Sequence, residues 1–409
     1  MSDHLNIPYS YHTFSFPFIY NYKENLPFEK MCKGFEGIDG KNHWRNIDFE
    51  NESSMRREDY YKKADSSSDN LRWDYQTFQY FNSSARRAML GCNSGILKRY
   101  TFSPNGEKLE ANYIIKKLEK YVDYSYVLNI NAINLNIYNT GVAIISFECE
   151  YSPENSSERT IDDIKRINEW GRRILYPFLP NPDPEDSLIA DSIAVEIKNQ
   201  GLELENQKFK DDFKELIINK SNEYTYNYFD SDTNKIKLTS VPKFIKNMLD
   251  LSKHKFTSEI KKTYQENEYY IYPAIDDRMF VSCCINDYCY ANIISNYSQE
   301  KYAFQCDDNI SKDLYELIYI DSPGKCSCPD PIMRGKILDE QIYTRWLTYG
   351  TIHAVTNHSI VCVTNFGAVM DEVVNPFLIL YVRMAELVLA QRASIIAFQN
   401  RATEITKHK

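Results

Sequence analysis

Three short stretches carry residue types that could hold a charged ligand. In NEWGRRILYPF, Arg172 and Arg173 follow Trp170 and Gly171 near the end of an apolar-striped stretch. Two guanidinium groups present planar donor forks that match phosphate oxygens, and the indole of Trp170 offers a face on which an adenine could stack. The same two cations would also suit a helix C-terminus, where they complement the dipole. In AIDDRMFVSC, Asp276, Asp277 and Arg278 interrupt an apolar strand at its start. Either they form a structural ion pair with arginines such as these, or an aspartate faces a cationic group on a ligand. Arg86 and Arg87 in SSARRAML form a third pair that reads as a solvated helix face.

Signatures of catalysis are missing. The sequence has no H-E-x-x-H and no G-x-S-x-G, and Gly324-Lys325 lacks the glycine a P-loop needs five residues earlier, where Tyr319 stands. Cys283, Cys284, Cys289, Cys306, Cys326 and Cys328 cluster in sequence without any C-x-x-C that would present two thiolates to one zinc, so they read as buried thiols. His353 and His358 lie five apart in a strand-like run, on opposite faces, and read as structural. The chain reads as a binding protein without catalytic residues, metal ligands or a cofactor.

The elements that must position these residues are bounded by composition. The 409 residues carry a formal charge of −9, which disfavours a nucleic-acid polymer as partner, although one small nucleotide needs only a local basic face. Ten cysteines in a chain this long suit a reducing compartment, and MSDHLNIPYSY has neither the basic nor the apolar region of a secretory signal. The default is the cytoplasm. Two long uncharged runs, 124–147 and 346–370, hold too much Asn, His and Thr to lie in hydrocarbon.

Along the chain, YHTFSFPFIY alternates and contains Pro17, which predicts an edge strand. Residues 51–72 form a charged, serine-rich loop or helix-loop. YQTFQYFNSSARRAML and LEANYIIKKLEKYV both read as helices, the second with Tyr113, Ile114, Leu118 and Val122 on one face. INLNIYNTGVAIISFECEY predicts a hairpin turning at Asn139-Thr140-Gly141, its second strand apolar enough for the middle of a sheet. Thr160 and Asp163 make a capping pattern for a helix striped by Ile161, Ile164, Ile167 and Ile174, which YPFLPNPDPEDS ends with its prolines. The polar stretch 185–265 reads as an inserted helical layer. Residues 268–296, DLYELIYID and TIHAVTNHSIVCVTNF return to strand composition.

The last stretch, 375–409, predicts one long helix: Asn375 suits the N-cap, Pro376 the first turn, and no Gly or Pro follows. Phe377, Leu380, Met384, Leu387, Val388, Gln391, Ile395 and Phe398 recur at spacings of three and four, a seam for neighbouring helices. The fold class is therefore α/β (α+β): a body over 1–370, a mixed sheet flanked by helices, leading into a stalk helix.

Taken together, YHTFSFPFIY, YFNSSARRAML, NTGVAIISFE with INEWGRRILYPFL, DDRMFVSC, YTRWLTYGT and LVLAQRASIIAFQN resemble the CRISPR-associated branch of the CorA family of membrane channels, across most of the chain. The resemblance implies a cytoplasmic α/β domain whose stalk helix continues into two transmembrane helices of an inner-membrane protein, five copies forming a funnel-shaped channel. The Gly-Met-Asn pore motif and both spanning segments expected of the family are missing from this sequence, which puts pore function in this polypeptide in doubt. The branch resembles receptors for SAM-AMP, a second messenger made by type III CRISPR polymerases, whose binding opens the effector during antiviral defence. On that resemblance, the phosphodiester falls to Arg172 and Arg173, the adenines to aromatic side chains such as Trp170, and the sulfonium and ammonium end to a carboxylate such as Asp277. Ordinary members of the family instead imply Mg²⁺ between subunits, for which Asp307-Asp308 offers carboxylates, and an enzyme that degrades the nucleotide is a further alternative.

Overall fold

In the computed structural model, β1 (Tyr9–Ile19) runs through the middle of a sheet rather than along its edge, bonded to β6 on one side and β13 on the other. The model describes residues 9–20, 28–33, 43–46, 81–90, 95–152, 160–173, 190–198, 208–212, 228–230, 235–237, 243–249, 260–264, 267–271, 278–298, 307–343, 346, 350–364, 373 and 376–407. In chain order they form β1, α1 (Phe28–Lys33), β2 (Trp44–Asn46), α2 (Ser83–Leu90), β3 (Leu97–Phe102), β4 (Ala111–Glu119), β5 (Val122–Tyr138), β6 (Val142–Tyr151), α3 (Ile161–Arg172), β7 (Ser192–Ile197) and β8 (Lys208–Asp212). There follow β9 (Tyr228–Asp230), β10 (Lys235–Lys237), α4 (Lys243–Leu249), β11 (Ile260–Tyr264), β12 (Asn267–Ile271), β13 (Phe280–Asn286), α5 (Tyr288–Ser298), α6 (Asp308–Tyr319), α7 (Pro331–Gln341), β14 (Ile342–Tyr343), β15 (Ile352–Val355), β16 (Ser359–Thr364) and α8 (Val382–Lys407). The fold is α+β, built on a mixed but mostly antiparallel sheet in the order β14-β15-β16-β13-β1-β6-β5-β4-β7-β8, with β2 and β3 branching from β5. The β13–β16 pair is parallel.

Two-sided burial explains the central strands. Even-numbered residues of β1, Phe14, Phe16 and Phe18, join the core shared with Ile161, Ile164, Ile167 and Trp170 of α3, while Tyr11 and Ile19 cluster with residues of the terminal helix. On β6, Ala143, Ile145 and Phe147 lie in the α3-side core, and Val142 and Ile144 under α8. A strand covered on both faces is apolar at nearly every position. Pro17 is tolerated because pairing with β13 stops at Ser15 opposite Phe280, so the missing N–H falls beyond the last bridged residue on that side.

The hairpin at Asn139-Thr140-Gly141 is present, with Tyr138 opposite Val142 and Gly141 at φ +90°. The capping box on α3 is also present: Thr160 accepts from the Asp163 backbone N–H while the Asp163 carboxylate accepts from that of Thr160. Gly171 lets this helix lie close to the sheet, since a Cβ there would stand 2.7 Å from Phe14 and 3.0 Å from Ile115. Gly171→Ala is expected to lower stability by about 1–3 kcal/mol, read as an earlier urea midpoint.

Four expectations are corrected. Ala111–Glu119, read as a helix, is strand β4: Tyr113, Ile115 and Lys117 point inward and Lys116 and Leu118 outward, a period of two. Its turn into β5 uses Lys120 and Tyr121 in left-handed conformations. DLYELIYID, read as a strand, lies largely in helix α6, because Asp307 caps the Asn309 and Ile310 N–H groups and Leu314, Leu317 and Ile318 share a buried face. Tyr288–Ser298, in the second part of 268–296, is likewise helical, and the Asp287 carboxylate accepts the Tyr290 N–H. Finally, the described residues of 185–265 hold strands β7 to β11 and one helix, α4, where a helical layer was expected, and β7 extends the main sheet beside β4. The helix expected over YQTFQYFNSSARRAML is present over Ser83–Leu90, Phe81 and Asn82 lying before it with the Asn82 side chain accepting the Ala85 N–H; residues 75–80, Ile174 and the proline run lie outside the described residues.

The terminal helix begins with a π turn, Phe377–Tyr381, in which the Val382 N–H reaches the Phe377 carbonyl; Asn375 lies outside the described residues. The 26 residues of α8 that follow lie along the sheet on a face of Leu389, Ala390, Ala393 and Ala397, small enough for close approach. The expected seam points elsewhere: Met384, Val388, Ile395 and Phe398 are exposed. No helix among the described residues is long and apolar enough to cross a membrane.

Buried Glu386 fixes the position of α8, accepting from the Asn136 amide at 2.8 Å and from the Ser146 hydroxyl. Nearby Glu148, held by the Asn134 amide, is pushed up to about 7 by burial first and then by the Glu386 charge, against the pull of Arg383, Arg99 and Asn134. A carboxyl whose folded value is raised contributes stability below its unfolded value near 4.5, and that contribution is lost as pH rises through about 7. Glu148→Gln is therefore expected to gain about 1–2 kcal/mol over the wild type at pH 8 and almost nothing at pH 4, measured by urea unfolding at both pH values.

Candidate functional site

The site is built where α3 ends and β13 begins. The capping box fixes one end of α3, and at the other the Arg172 carbonyl accepts the Met279 N–H at 2.8 Å while Arg173 and Arg278 form an isolated antiparallel bridge. Two stretches about 100 residues apart in sequence, GRR and DDR, are thereby stitched together. The structure thus brings together three of the five arginines singled out by the sequence.

They differ in what they can do. Arg172 is buried at 2 % exposure, with Nη2 donating to the carbonyl of Ile320, the left-handed cap of α6. Arg173 holds Glu169 through Nη2 at 3.3 Å. Burial raises the Glu169 carboxyl above its ordinary range, opposed by the Ser322 hydroxyl, Arg173, Arg172 and Lys117. Both arginines are therefore also structural, in keeping with cations at a helix C-terminus. Arg172 and Arg278 nevertheless line a cavity of about 220 Å³, beside Pro17, Phe280, His358 and, from the terminal helix, Arg392.

That cavity opens where β1 and β13 part. Beyond the Ser15–Phe280 pair the two strands stop bonding, and the turn between β15 and β16 comes alongside, ordered by Thr356, whose hydroxyl accepts the His358 and Ser359 N–H groups at 3.1 Å. Three guanidinium groups line one small cavity in a chain whose overall charge is −9. Guanidinium groups at such a cavity are the donor type that matches the oxygens of an anion.

Trp170 does not belong to this cleft. Its indole is 1 % exposed, packed edge-on to Tyr124 with the Lys117 ammonium 4.9 Å from the ring centre, which leaves no face for an adenine. Asp276 and Asp277 lie outside the described residues. His353 stands on β15 beside Tyr381, pulled down to about 4 by burial, and His358 sits in the turn rather than in a strand. Asp307 caps α6 and Asp308 pairs with Lys312 and Arg334, so these two carboxylates already have partners. Of the cysteines read as buried, Cys283 and Cys284 are, whereas Cys289 is exposed, Cys326 and Cys328 are partly exposed, and Cys306 lies outside the described residues.

Sequence reasoning missed Arg392, His358 and Phe280. The one available signal for Arg392 was its place in the terminal helix as a charge beside an apolar seam, and nothing local connects it to Arg172 or Arg278. Comparison with protein-family models, with curated proteins and with solved structures finds no match to this chain.

Proposed function

We propose that this chain is the cytoplasmic sensor of a CorA-like membrane effector of type III CRISPR defence, a receptor rather than an enzyme, which binds SAM-AMP to gate a channel. One observation carries the reading: Arg392 of the terminal helix shares a single cavity with Arg172 and Arg278 of the body. An anionic ligand there touches both the body and the rod that leads towards the membrane. Ligand binding shifts a conformational equilibrium only through unequal affinity for its two states, and a cleft whose walls belong to two elements can supply that inequality.

The exposed side of α8 supports assembly of several copies. Met384, Val388, Ile395, Phe398 and Ile405 stand alternately four and seven, or three and seven, residues apart, with Gln391 and Ala402 filling the heptad. A row at that period is the seam of a coiled coil, with the polar Gln391 setting its register. The phosphodiester is assigned to Arg172, Arg278 and Arg392, with Asp277 retained for the cationic end of the ligand.

Calorimetric titration of the purified chain with SAM-AMP, and separately with Mg²⁺, tests the reading. Saturable SAM-AMP binding without chemical change of the nucleotide supports it. Binding of Mg²⁺ alone favours a cation-regulated transporter domain, and turnover of SAM-AMP favours an enzyme; either outcome rejects the sensor.

A further inference from the structure

Among the described cysteines, Cys326 and Cys328 are treated unlike the rest. They lie on either side of Ser327 in the connection between α6 and α7, and both are partly exposed. Cys32, Cys149, Cys283, Cys284 and Cys362 are buried.

The connection is tied down from both sides, which holds the two thiols in one relation to each other. The Asp321 carboxylate accepts the Ser327 N–H at 2.8 Å, and the fully buried Arg334 of α7 donates Nη1 to the Cys328 carbonyl at 2.7 Å. The chain bends at Ser327 and folds the Cys326 thiol back onto that same carbonyl, at 3.3 Å. The Cys328 thiol makes a longer and more exposed contact, 3.8 Å from the Asp330 carbonyl.

A thiol that attacks a disulfide yields a mixed disulfide, and a second thiol within reach resolves it into an internal one. A disulfide needs Cα atoms about 4.4–6.8 Å apart, whereas two residues of fully extended chain span roughly 7 Å, so a C-x-C pair closes where the chain is bent. The two positions also differ in the way the two steps require. Burial raises the Cys326 thiol, opposed by its bond to the Cys328 backbone and by the Arg334 guanidinium, which suits it to the second, intramolecular step. The more exposed contact of Cys328 suits it to the first encounter. Thiol pairs in reducing compartments act in this transient way, and a strained short ring is readily reduced again.

We propose that Cys326 and Cys328 form a thiol–disulfide exchange site for low-molecular-weight disulfides such as glutathione disulfide, with Cys328 attacking and Cys326 resolving. Cys328 gives its proton to water, and its thiolate displaces one glutathione, which takes up a proton. Cys326 then loses its proton, attacks the Cys328 sulfur of the mixed disulfide and releases the second glutathione as a thiol. The S–S bond of glutathione disulfide breaks, one forms between Cys326 and Cys328, and the electron pair passes from protein to glutathione. The inference is independent of the sensor reading.

The reduced, folded chain is treated with glutathione disulfide, its remaining thiols are trapped with iodoacetamide, and trypsin then isolates both cysteines in the peptide Cys326–Arg334. By mass spectrometry the wild-type peptide is expected to lose one hydrogen from each thiol, to carry neither alkyl group nor glutathione, and to recover both thiols in dithiothreitol. Cys326→Ser should stop at the mixed disulfide with glutathione on Cys328, and Cys328→Ser should react at least about tenfold more slowly. A melting curve checks the folding of each variant, and the wild-type result stands without them. Recovery of the wild-type peptide doubly alkylated overturns the proposal. So does glutathione retained on either cysteine of the wild type, a bond from either to a cysteine elsewhere, or Cys328→Ser reacting as fast as Cys326→Ser.

Discussion

Replacing Lys165 with methionine is expected to cost the fold about 3–5 kcal/mol. The ammonium is 1 % exposed and lies 2.6 Å from Asp313, 2.8 Å from Glu316 and 3.2 Å from Asp162. Burial alone pulls its pKa down, but the three carboxylates outweigh that and hold it above the ordinary lysine value. Methionine matches the volume and leaves carboxylates of α3 and α6 facing one another without a cation. The cost is theirs: Glu316 is itself buried, and an uncompensated buried charge is penalised more heavily than a lost surface pair. Guanidinium-induced unfolding gives the number. A change below about 1 kcal/mol would show that the cluster is solvated well enough to need no lysine.

Arg392→Gln is expected to weaken SAM-AMP binding by about 30- to 100-fold, with a melting curve of the variant as the control for folding. Arg172 and Arg173 are the residues that the sequence nominates, yet they are poor probes. Arg172 holds the end of α6 and Arg173 holds buried Glu169, so losing either disturbs packing along with any ligand contact. Arg392 is exposed on α8 and lines the cleft from the terminal helix, away from the buried ends of α3 and α6 that Arg172 and Arg173 hold. Arg278→Gln should behave similarly from the opposite wall. Unchanged affinity in both variants would remove the cleft from the sensor reading.

Much of the scaffold was legible because its signals are local. The Thr160–Asp163 box, the Asn139-Thr140-Gly141 turn and the unbroken terminal helix each depend on residues within a few positions of one another. The errors arose where tertiary burial decided between periods. Ala111–Glu119 contains enough Leu, Ile and Lys at spacings of three and four to pass for a helix, yet its place between β5 and β7 buries alternate residues. DLYELIYID has strand composition, and the Asp307 cap overrides it. For Pro17 the local rule was sound, but the edge it marks is only the last few residues of a central strand.

The site was half legible. GRR is visible as a cationic cluster and DDR as a mixed-charge one, and the structure joins them through a backbone bridge. Trp170 was misread because an aromatic beside arginines has the same sequence signature whether it stacks on a ligand or fills a core. Arg392 could not be found, since its contribution depends on how a helix more than 200 residues later lies across the sheet.

The π turn at Phe377–Tyr381 holds one residue more than α-helical winding requires. Rewinding it would rotate everything downstream by about 100° and shift it by roughly 1.5 Å along the axis. Glu386 would then swing away from Asn136 and Ser146, and the apolar row from Met384 to Ile405 would point in a new direction. Such a rewinding would change which side the helix shows to its surroundings while its length stayed nearly constant.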